Sequence, residues 1–299
     1  MTKFKKLTRN IFKIKKKDLL LFAALLSLFI VSLHPIKAEA ALNNSYVIPD
    51  VAFANAGTMN EAQIQAFLVS HGSYLASYTV PAERDVVWHN VSYHESPWIG
   101  PIGSEVNAQG RSAAWVIYQT SQWYGINPQV LIATLQKESS LVTNSNPPYY
   151  GLVQWAMGYA YTEGGILNVC GTSTNHNPTG SCAGFAMQMD WAGGGLKSWM
   201  NWANAHSPSA GQYWTGNTLN IDGQSVYLGN GATAALYRYT PHIQTNFYNI
   251  YAMWFNPYSY QVISSVNPPQ YLAAPFSADT QLVLRNTGTT TWYGEGTAN

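Results

Sequence analysis

The sequence predicts a mainly α-helical domain, and three observations favour that class. Apolar residues recur at helical spacing on both sides of Gly125, between residues 109 and 138. The 299 residues are 46% hydrophobic and 14% aromatic, which is enough for a sizeable core and too apolar for a disordered chain. After Pro257 the composition changes to that of a linker followed by a short strand-like run, so a partial β segment is expected at the C-terminus.

The first helix is predicted after residues 41–57, which follow no regular pattern. Thr58-Met59-Asn60-Glu61 has the spacing of a capping box, which satisfies free backbone N–H groups at a helix start, and Gly72 ends the run. Residues 73–108 mix Pro, His, Trp and Ser without a clear period. We therefore expect an ordered but irregular lead-in there.

Two adjacent helices have the strongest signals in the chain. The first covers residues 109–123 and ends at Gly125. Asn127-Pro128 then supplies a cap followed by proline at the first helical position, and this second helix reaches Glu138. Pro147 forbids its continuation, because proline lacks the backbone N–H and clashes with the preceding turn.

Three further helices are predicted in the second half of the chain. The longest covers residues 185–205, and a break is expected at its Gly193-Gly194-Gly195 triplet because each glycine costs about 1 kcal/mol against alanine. Two shorter helices cover residues 232–239 and 243–255, on either side of Pro241.

The C-terminal segment has the character of a linker followed by β structure. Residues 281–284 are predicted to form a strand, and Asn286-Thr287-Gly288 a turn. The run from Asn286 to Trp292 resembles the first strands of an immunoglobulin-like module. The chain ends long before the roughly 100 residues of a complete sandwich, so we expect only a partial β segment.

The formal net charge of +1 hides an uneven distribution. Nine of the 15 basic residues but only two of the 14 acidic ones lie in the first 40 positions. From residue 41 onward six bases stand against twelve acids, a net charge of −6. A broad nucleic-acid footprint needs clustered Lys and Arg, so nucleic acid is excluded as a partner.

The first 40 residues are typical of an export signal. A lysine-rich start precedes an apolar run from Leu19 to Leu33 and the small-x-small pattern Ala38-Glu39-Ala40. The run is short for a membrane span of about 20 residues, although an uncleaved anchor stays open as the one membrane contact. We therefore expect a secreted or cell-wall-associated protein, divided into a signal peptide (1–40), an N-terminal accessory region (41–105), a main helical domain (106–258) and a linker with an incomplete immunoglobulin-like segment (259–299).

Both cysteines lie in the exported part of the chain. Cys170 and Cys182 enclose a polar, turn-rich loop, and outside the cytoplasm such a pair predicts a disulfide worth roughly 3 kcal/mol. The alternative is a zinc pair, but only His176 lies close enough in sequence to add a ligand.

Glu138 is the candidate catalytic residue. It follows Leu131 and Leu135 by seven and three residues, so it lies on the same apolar helix face. A carboxyl group there is partly desolvated, and desolvation favours the protonated form that can donate a proton. Lys137 is 100° round the helix and is expected to point elsewhere. The alternative is a solvated glutamate at a helix end.

Two short motifs carry a family resemblance over roughly residues 106–256. Glu138-Ser139 ends a helix, and Gly151-Leu152-Val153-Gln154 follows thirteen residues later. The pair resembles the lysozyme-like superfamily of lytic transglycosylases and related peptidoglycan glycosidases, of the goose type. Valine replaces the family's methionine in the second motif, and Ala234 to Tyr239 is a loose counterpart of a third block that lacks its Asn and Gly.

The resemblance implies a lysozyme-like helical fold and cleavage of peptidoglycan glycan strands. Glu138 would act as acid and then as base, giving 1,6-anhydro products in a lytic transglycosylase without any cofactor. A muramidase- or glucosaminidase-type hydrolase usually needs a second carboxylate. Glu163 is then the nearest later acid, although it is also interpretable as a solvated loop charge. A non-catalytic glycan-binding or surface-interaction protein on the same scaffold is the third reading.

The remaining site residues surround these motifs. Ser139 and Gln154 are candidates to orient the glutamate or to bind an acetamido group, or else to satisfy nearby backbone groups. The aromatic candidates for stacking on sugar rings are Tyr149, Tyr150, Trp155, Tyr161, Tyr237 and Tyr239. Asp190 is interpreted as structural. His89 and His94 lack the helical spacing of a zinc protease motif, so no metal is predicted.

Overall fold

The structure is a computed structural model that describes residues 42–88, 91–148, 150–162, 165–166, 182–255, 260–265 and 282–286. These residues are mainly α-helical. The helices are α1 (Asp50–Phe53), α2 (Glu61–Ser70), α3 (Ala113–Tyr124), α4 (Pro128–Ser139), α5 (Tyr150–Gln154), α6 (Phe185–Ala205), α7 (Gly231–Tyr239) and α8 (Thr245–Phe255).

The strands form antiparallel pairs rather than one large sheet. Within the described residues the pairs are β1 (Arg84–Trp88) with β2 (Val91–Glu95), β3 (Trp98–Ile99) with β4 (Val106–Asn107), β5 (Tyr161–Thr162) with β6 (Gly165–Ile166), β7 (Thr218–Ile221) with β8 (Gln224–Tyr227), and β9 (Tyr260–Ser265) with β10 (Leu282–Asn286).

Helix α4 is the centre of the fold. Its residues from Pro128 to Leu135 are all buried, and it packs against α3 and α8. The predicted cap is confirmed, since the Asn127 side chain accepts a hydrogen bond from the Gln129 N–H and Pro128 occupies the first turn. The helix ends at Ser139, well before Pro147, and the capping residue Ser140 has a left-handed φ of 57°. The C-terminal end of α4, which carries Glu138, therefore continues directly from a buried stretch of helix.

The capping box of α2 lies two residues later than predicted. Asn60, not Thr58, is the cap: its side chain accepts from the Gln63 N–H, and the Gln63 side chain accepts from the Asn60 N–H. The Thr58 hydroxyl instead donates to Asn127 Oδ1 at 2.6 Å, at the start of α4. The N-terminal region is thus tied directly to the central helix.

The predicted break in the long helix α6 is wrong, because α6 runs through the glycine triplet without interruption. A Cβ atom at Gly193 would lie 2.4 Å from Thr120 Cγ2, and one at Gly194 would lie 3.0 Å from the Tyr124 ring. The glycines therefore allow α3 to approach the α6 backbone, and this packing offsets their poor helix propensity.

Residues 73–108 are also more regular than predicted. Arg84 pairs opposite Glu95 and Trp88 opposite Val91 in the β1–β2 hairpin.

The N-terminal region shares one buried core with the helices α3, α4, α6 and α7. It contributes Ile64, Leu68 and Leu75 to that core. At the other end of the chain, β10 overlaps the predicted strand at residues 282–284, continues to Asn286, which was predicted in a turn, and pairs with β9. No described helix is long and apolar enough to cross a membrane.

Candidate active site

Glu138 is the penultimate residue of α4, and its side chain is 21% exposed. Its Oε1 accepts hydrogen bonds from Lys137 Nζ at 2.7 Å and from the Thr240 hydroxyl at 3.2 Å. Lys137 Nζ also donates to Thr240 Oγ1 at 2.7 Å, which closes a three-membered polar network. The expectation that Lys137 points elsewhere is wrong, because its long side chain bends back to the neighbouring carboxylate.

The loop after α5 lies against the other carboxylate oxygen of Glu138. Gly158 has a left-handed φ of +64°, and a Cβ atom on it would lie 3.0 Å from Glu138 Oε2. Its amide donates to the Trp155 carbonyl at 2.9 Å. Glycine is thus needed here both for the backbone conformation and for the close approach to the carboxylate.

Gln188 holds this loop in place. No motif in the sequence around Gln188 predicts a site residue there. It lies fully buried on α6. Its Oε1 accepts from the amides of Tyr159 at 3.0 Å and Met157 at 3.3 Å, while Nε2 donates to the carbonyls of Tyr159 at 3.0 Å and Cys182 at 2.9 Å. One side chain therefore holds the backbone on both sides of Gly158.

An aromatic wall stands beside this loop and consists of Tyr159, Trp199 and Tyr239. The ring centroids are 6.2 Å apart for Tyr159 and Trp199, 6.3 Å for Tyr159 and Tyr239, and 6.1 Å for Trp199 and Tyr239. The Tyr239 hydroxyl donates to the Met157 carbonyl at 2.5 Å. Burial raises the pKa of Tyr239 well above its ordinary value, and the charge of Glu138 raises it further, so this hydroxyl stays a donor.

The end of α7 places Tyr239 and Thr240 in this site, since consecutive residues supply a wall ring and a hydroxyl on Glu138. The other predicted aromatic of this block lies elsewhere. Tyr237 is fully buried in the core, and burial raises its pKa to about 12.

The other predicted site residues lie in different settings. The Ser139 hydroxyl is buried and donates to the Leu135 carbonyl of its own helix at 2.9 Å. Gln154 is fully buried, and its side-chain amide has no hydrogen-bond partner among the described residues. Trp155 packs in a small cluster with Cys182 and Ala183.

Several predictions fall where the structure describes little or nothing. Tyr150 begins α5 and Tyr161 begins β5, and only their backbones are described. Tyr149, Glu163 and Cys170 lie outside the described residues. The second carboxylate and the disulfide therefore stay predictions, although Cys182 itself is fully buried.

A pocket of about 370 Å³ is lined in part by Tyr159. Asp190 is 2% exposed and lines it, accepting from the Tyr124 hydroxyl at 2.8 Å and from the Gly100 amide at 3.2 Å. Burial raises the pKa of Tyr124, and the charge of Asp190 raises it further, so the phenol stays protonated. These are the contacts of a structural carboxylate.

The β1–β2 hairpin holds the histidine considered for a metal. His94 contacts the carboxylates of Glu83 and Asp85, while His89 lies outside the described residues. In the part of the chain that the structure describes, no three His, Cys, Asp or Glu side chains are grouped to hold a metal ion.

Comparison with known proteins gives one similarity. The sequence model of a family described as the LasA N-terminal domain matches residues 46–168, which is less than half of the chain. The matched segment includes Glu138 and Gly158 and ends before α6 and α7, which supply Trp199, Tyr239 and Thr240. No curated protein and no solved structure matches the chain. The chain is therefore similar to the LasA N-terminal domain over residues 46–168.

Proposed function

We propose that this protein is an exported enzyme that cleaves the glycan strands of peptidoglycan, with Glu138 as its single acid and base. The observation that carries the proposal is the setting of Glu138. Its carboxylate lies where α4, the loop that contains Gly158 and the end of α7 meet, beside the aromatic wall. Flat aromatic faces suit pyranose rings, and a partly exposed carboxyl group suits proton transfer at the bond between two of them.

The surrounding side chains hold the carboxyl group in one place. Thr240 and Lys137 both contact Oε1, and Gly158 lies against Oε2, so neither oxygen is free to rotate far. A general acid needs this kind of fixed position relative to the reacting oxygen.

The reaction itself needs few groups. Protonated Glu138 gives its proton to the glycosidic oxygen as the C1–O bond breaks through an oxocarbenium-like state. The carboxylate so formed is neutralised by Lys137, 2.7 Å away. It then takes the proton of the same sugar's 6-hydroxyl while that oxygen bonds to C1, which gives a 1,6-anhydro end and returns Glu138 to its acid form. No cofactor enters this sequence.

A digest of purified peptidoglycan tests the proposal. The parent protein, Glu138→Gln and the matched control Glu61→Gln on α2 are incubated with the polymer, and mass spectrometry identifies the new sugar ends. We expect anhydro ends from the parent and the control. We expect the rate with Glu138→Gln to be lower by about 10²- to 10⁴-fold, the usual contribution of general acid–base catalysis.

The other outcomes separate the alternatives. Reducing ends would identify a hydrolase and direct attention to Glu163 as its second carboxylate. Binding of the polymer without cleavage by the parent protein would identify a glycan-binding protein and overturn the enzyme proposal. Full activity of Glu138→Gln would leave an enzyme but remove Glu138 as its acid.

A further inference from the structure

We infer that Arg238 binds a carboxylate carried by the glycan, and so makes the site selective for an acidic saccharide over a neutral one. The inference rests on the proposed function, because it deepens the substrate class of that site. In peptidoglycan such a carboxylate comes either from the lactyl ether of the sugar or from the attached peptide, and the chemistry that Arg238 recognises is the same in both.

Arg238 is held by two tryptophans of the neighbouring helix. Its Cζ lies 5.3 Å from the Trp199 ring centroid and 5.4 Å from that of Trp202, which is one turn further along α6. Gly231 permits this packing, because a Cβ atom there would lie 2.5 Å from the Met200 carbonyl oxygen. A guanidinium stacked on aromatic rings loses little mobility on binding and keeps its in-plane N–H donors for a planar carboxylate.

No carboxylate of the described residues matches the charge of Arg238. Among the described residues, Arg84 pairs with Glu95 and Lys137 with Glu138, whereas no described carboxylate lies within 4.0 Å of the Arg238 guanidinium. Only six basic residues follow position 40, against twelve acids. In an acidic body, an arginine without a carboxylate partner is suited to supply a charge to a ligand.

The position of Arg238 relative to Glu138 points to the same ligand. Tyr239 and Thr240, the next two residues, are the wall ring and the hydroxyl that contacts Glu138. Trp199 is shared, since its ring packs against Tyr239 and lies under Arg238. Trp202 is 53% exposed, so the outer side of this arrangement is open to solvent. A saccharide on the aromatic wall would thus place an acidic substituent near the guanidinium.

The test measures binding in the Glu138→Gln background, where cleavage does not consume the ligand. Three ligands are titrated by calorimetry: neutral chitotetraose, a tetrasaccharide of alternating N-acetylglucosamine and N-acetylmuramic acid with free lactyl carboxylates, and the same tetrasaccharide carrying its peptides. Arg238→Gln is compared with Arg238→Lys and with Arg111→Gln, a matched control whose guanidinium lies 5.1 Å from the Trp115 ring.

We expect Arg238→Gln to weaken binding of a carboxylated ligand about tenfold or more, the scale of one charge-assisted hydrogen bond, and to leave chitotetraose unchanged. Arg238→Lys should keep part of the affinity, and Arg111→Gln all of it. A loss with the free lactyl form identifies the sugar carboxylate, and a loss only with the peptide-bearing form identifies the peptide.

Two results would overturn the inference. Equal losses for chitotetraose and the carboxylated ligands would show that Arg238 only supports the wall, and unchanged affinity for all ligands would show no contact at all. Either result leaves the proposed function standing if the parent protein cuts peptidoglycan. Failure of the parent to cut would instead remove the proposed function, while the titrations still report whether Arg238 binds the carboxylate.

Discussion

Glu138 and Asp190 are both helix carboxylates in regions that share Tyr159, and the two carboxylates differ in exposure and in hydrogen-bond partners. Glu138 has a side chain 21% exposed and contacts a lysine and a threonine hydroxyl. Asp190 is 2% exposed and accepts from a phenol and a backbone amide. Partial exposure leaves the Glu138 carboxylate available for a substrate, whereas the buried donors to Asp190 use its oxygens to hold the structure.

Tyr159 is the residue that both regions share. It packs against Tyr239 and Trp199 in the Glu138 region and lines the pocket that contains Asp190. Its position depends on Gln188, which bonds both its amide and its carbonyl. The two regions therefore share one residue whose backbone is held by Gln188, and substitutions in the two regions should give different kinds of effect.

Asp190→Ala is expected to give the largest loss of stability. The change leaves the Gly100 amide and the Tyr124 hydroxyl without their buried acceptor, which should lower the free energy of unfolding by about 3 kcal/mol. Glu138→Gln should change it by less than about 0.5 kcal/mol, as is usual away from such buried networks. Urea unfolding followed by tryptophan fluorescence measures both. Equal losses in the two variants would break the distinction between a site carboxylate and a structural one.

Gly158→Ala tests whether the close approach of the loop after α5 to Glu138 matters for cleavage. A Cβ atom 3.0 Å from Glu138 Oε2 must displace the carboxyl group, and the left-handed φ costs alanine about 1 kcal/mol. We expect cleavage to slow about tenfold, which corresponds to roughly 1.4 kcal/mol. Gly211→Ala is the matched control, since its φ is +74° but nothing lies within 4 Å of its added Cβ. If both variants slowed cleavage equally, strain rather than contact with Glu138 would be responsible.

The exposed carboxylates of the β1–β2 hairpin are expected to contribute least. Burial lowers the pKa of His94, but hydrogen bonds and negative charges from Glu83 and Asp85 outweigh burial and leave the pKa above 6.5. The stabilisation is therefore fully present below pH 6.5 and is lost as pH rises through the folded-state pKa. We expect a decline of about 0.2–1 kcal/mol, given the solvent screening of such pairs.

His94→Gln should remove this part of the pH dependence and leave the rest unchanged. Urea unfolding at a series of pH values above and below 6.5 measures the difference between the two proteins. A decline of the same size in the variant would show that another group titrates in this range.

Local signals in the sequence predicted the longer helices, whereas the short helices α1 and α5 were not predicted. The Asn127-Pro128 cap and the Gly125 stop depend on hydrogen bonds and dihedral angles that neighbouring residues decide among themselves. The β7–β8 hairpin has an equally local signal. Asp222-Gly223, with φ values of 50° and 78°, is the two-residue turn that favours a hairpin.

Other features depended on contacts between distant residues. Asn60, and not Thr58 as predicted, caps α2. The Thr58 hydroxyl instead donates a hydrogen bond to Asn127, 69 residues away. The prediction that Lys137 points away from Glu138 is wrong because helical angles give the direction of Cβ and not the reach of a long side chain. The position of the Lys137 ammonium group is also set by its hydrogen bond to Thr240. The site was predicted at Glu138 and Tyr239, while Gln188 and Trp199 are brought to it only by the packing of α6.

The glycines of the helical core also change how distant relatives of this chain should be recognised. At Gly193 and Gly231 atoms of a neighbouring helix lie where a Cβ atom would be, so the absence of a side chain sets how closely two helices approach. A hydropathy score gives such glycines little weight, although the carbon of an added methyl group would lie only 2.4–2.5 Å from the nearest atoms. A search that weights these two positions and Gly158 above the interchangeable aliphatic residues should identify the same architecture in sequences that share little else.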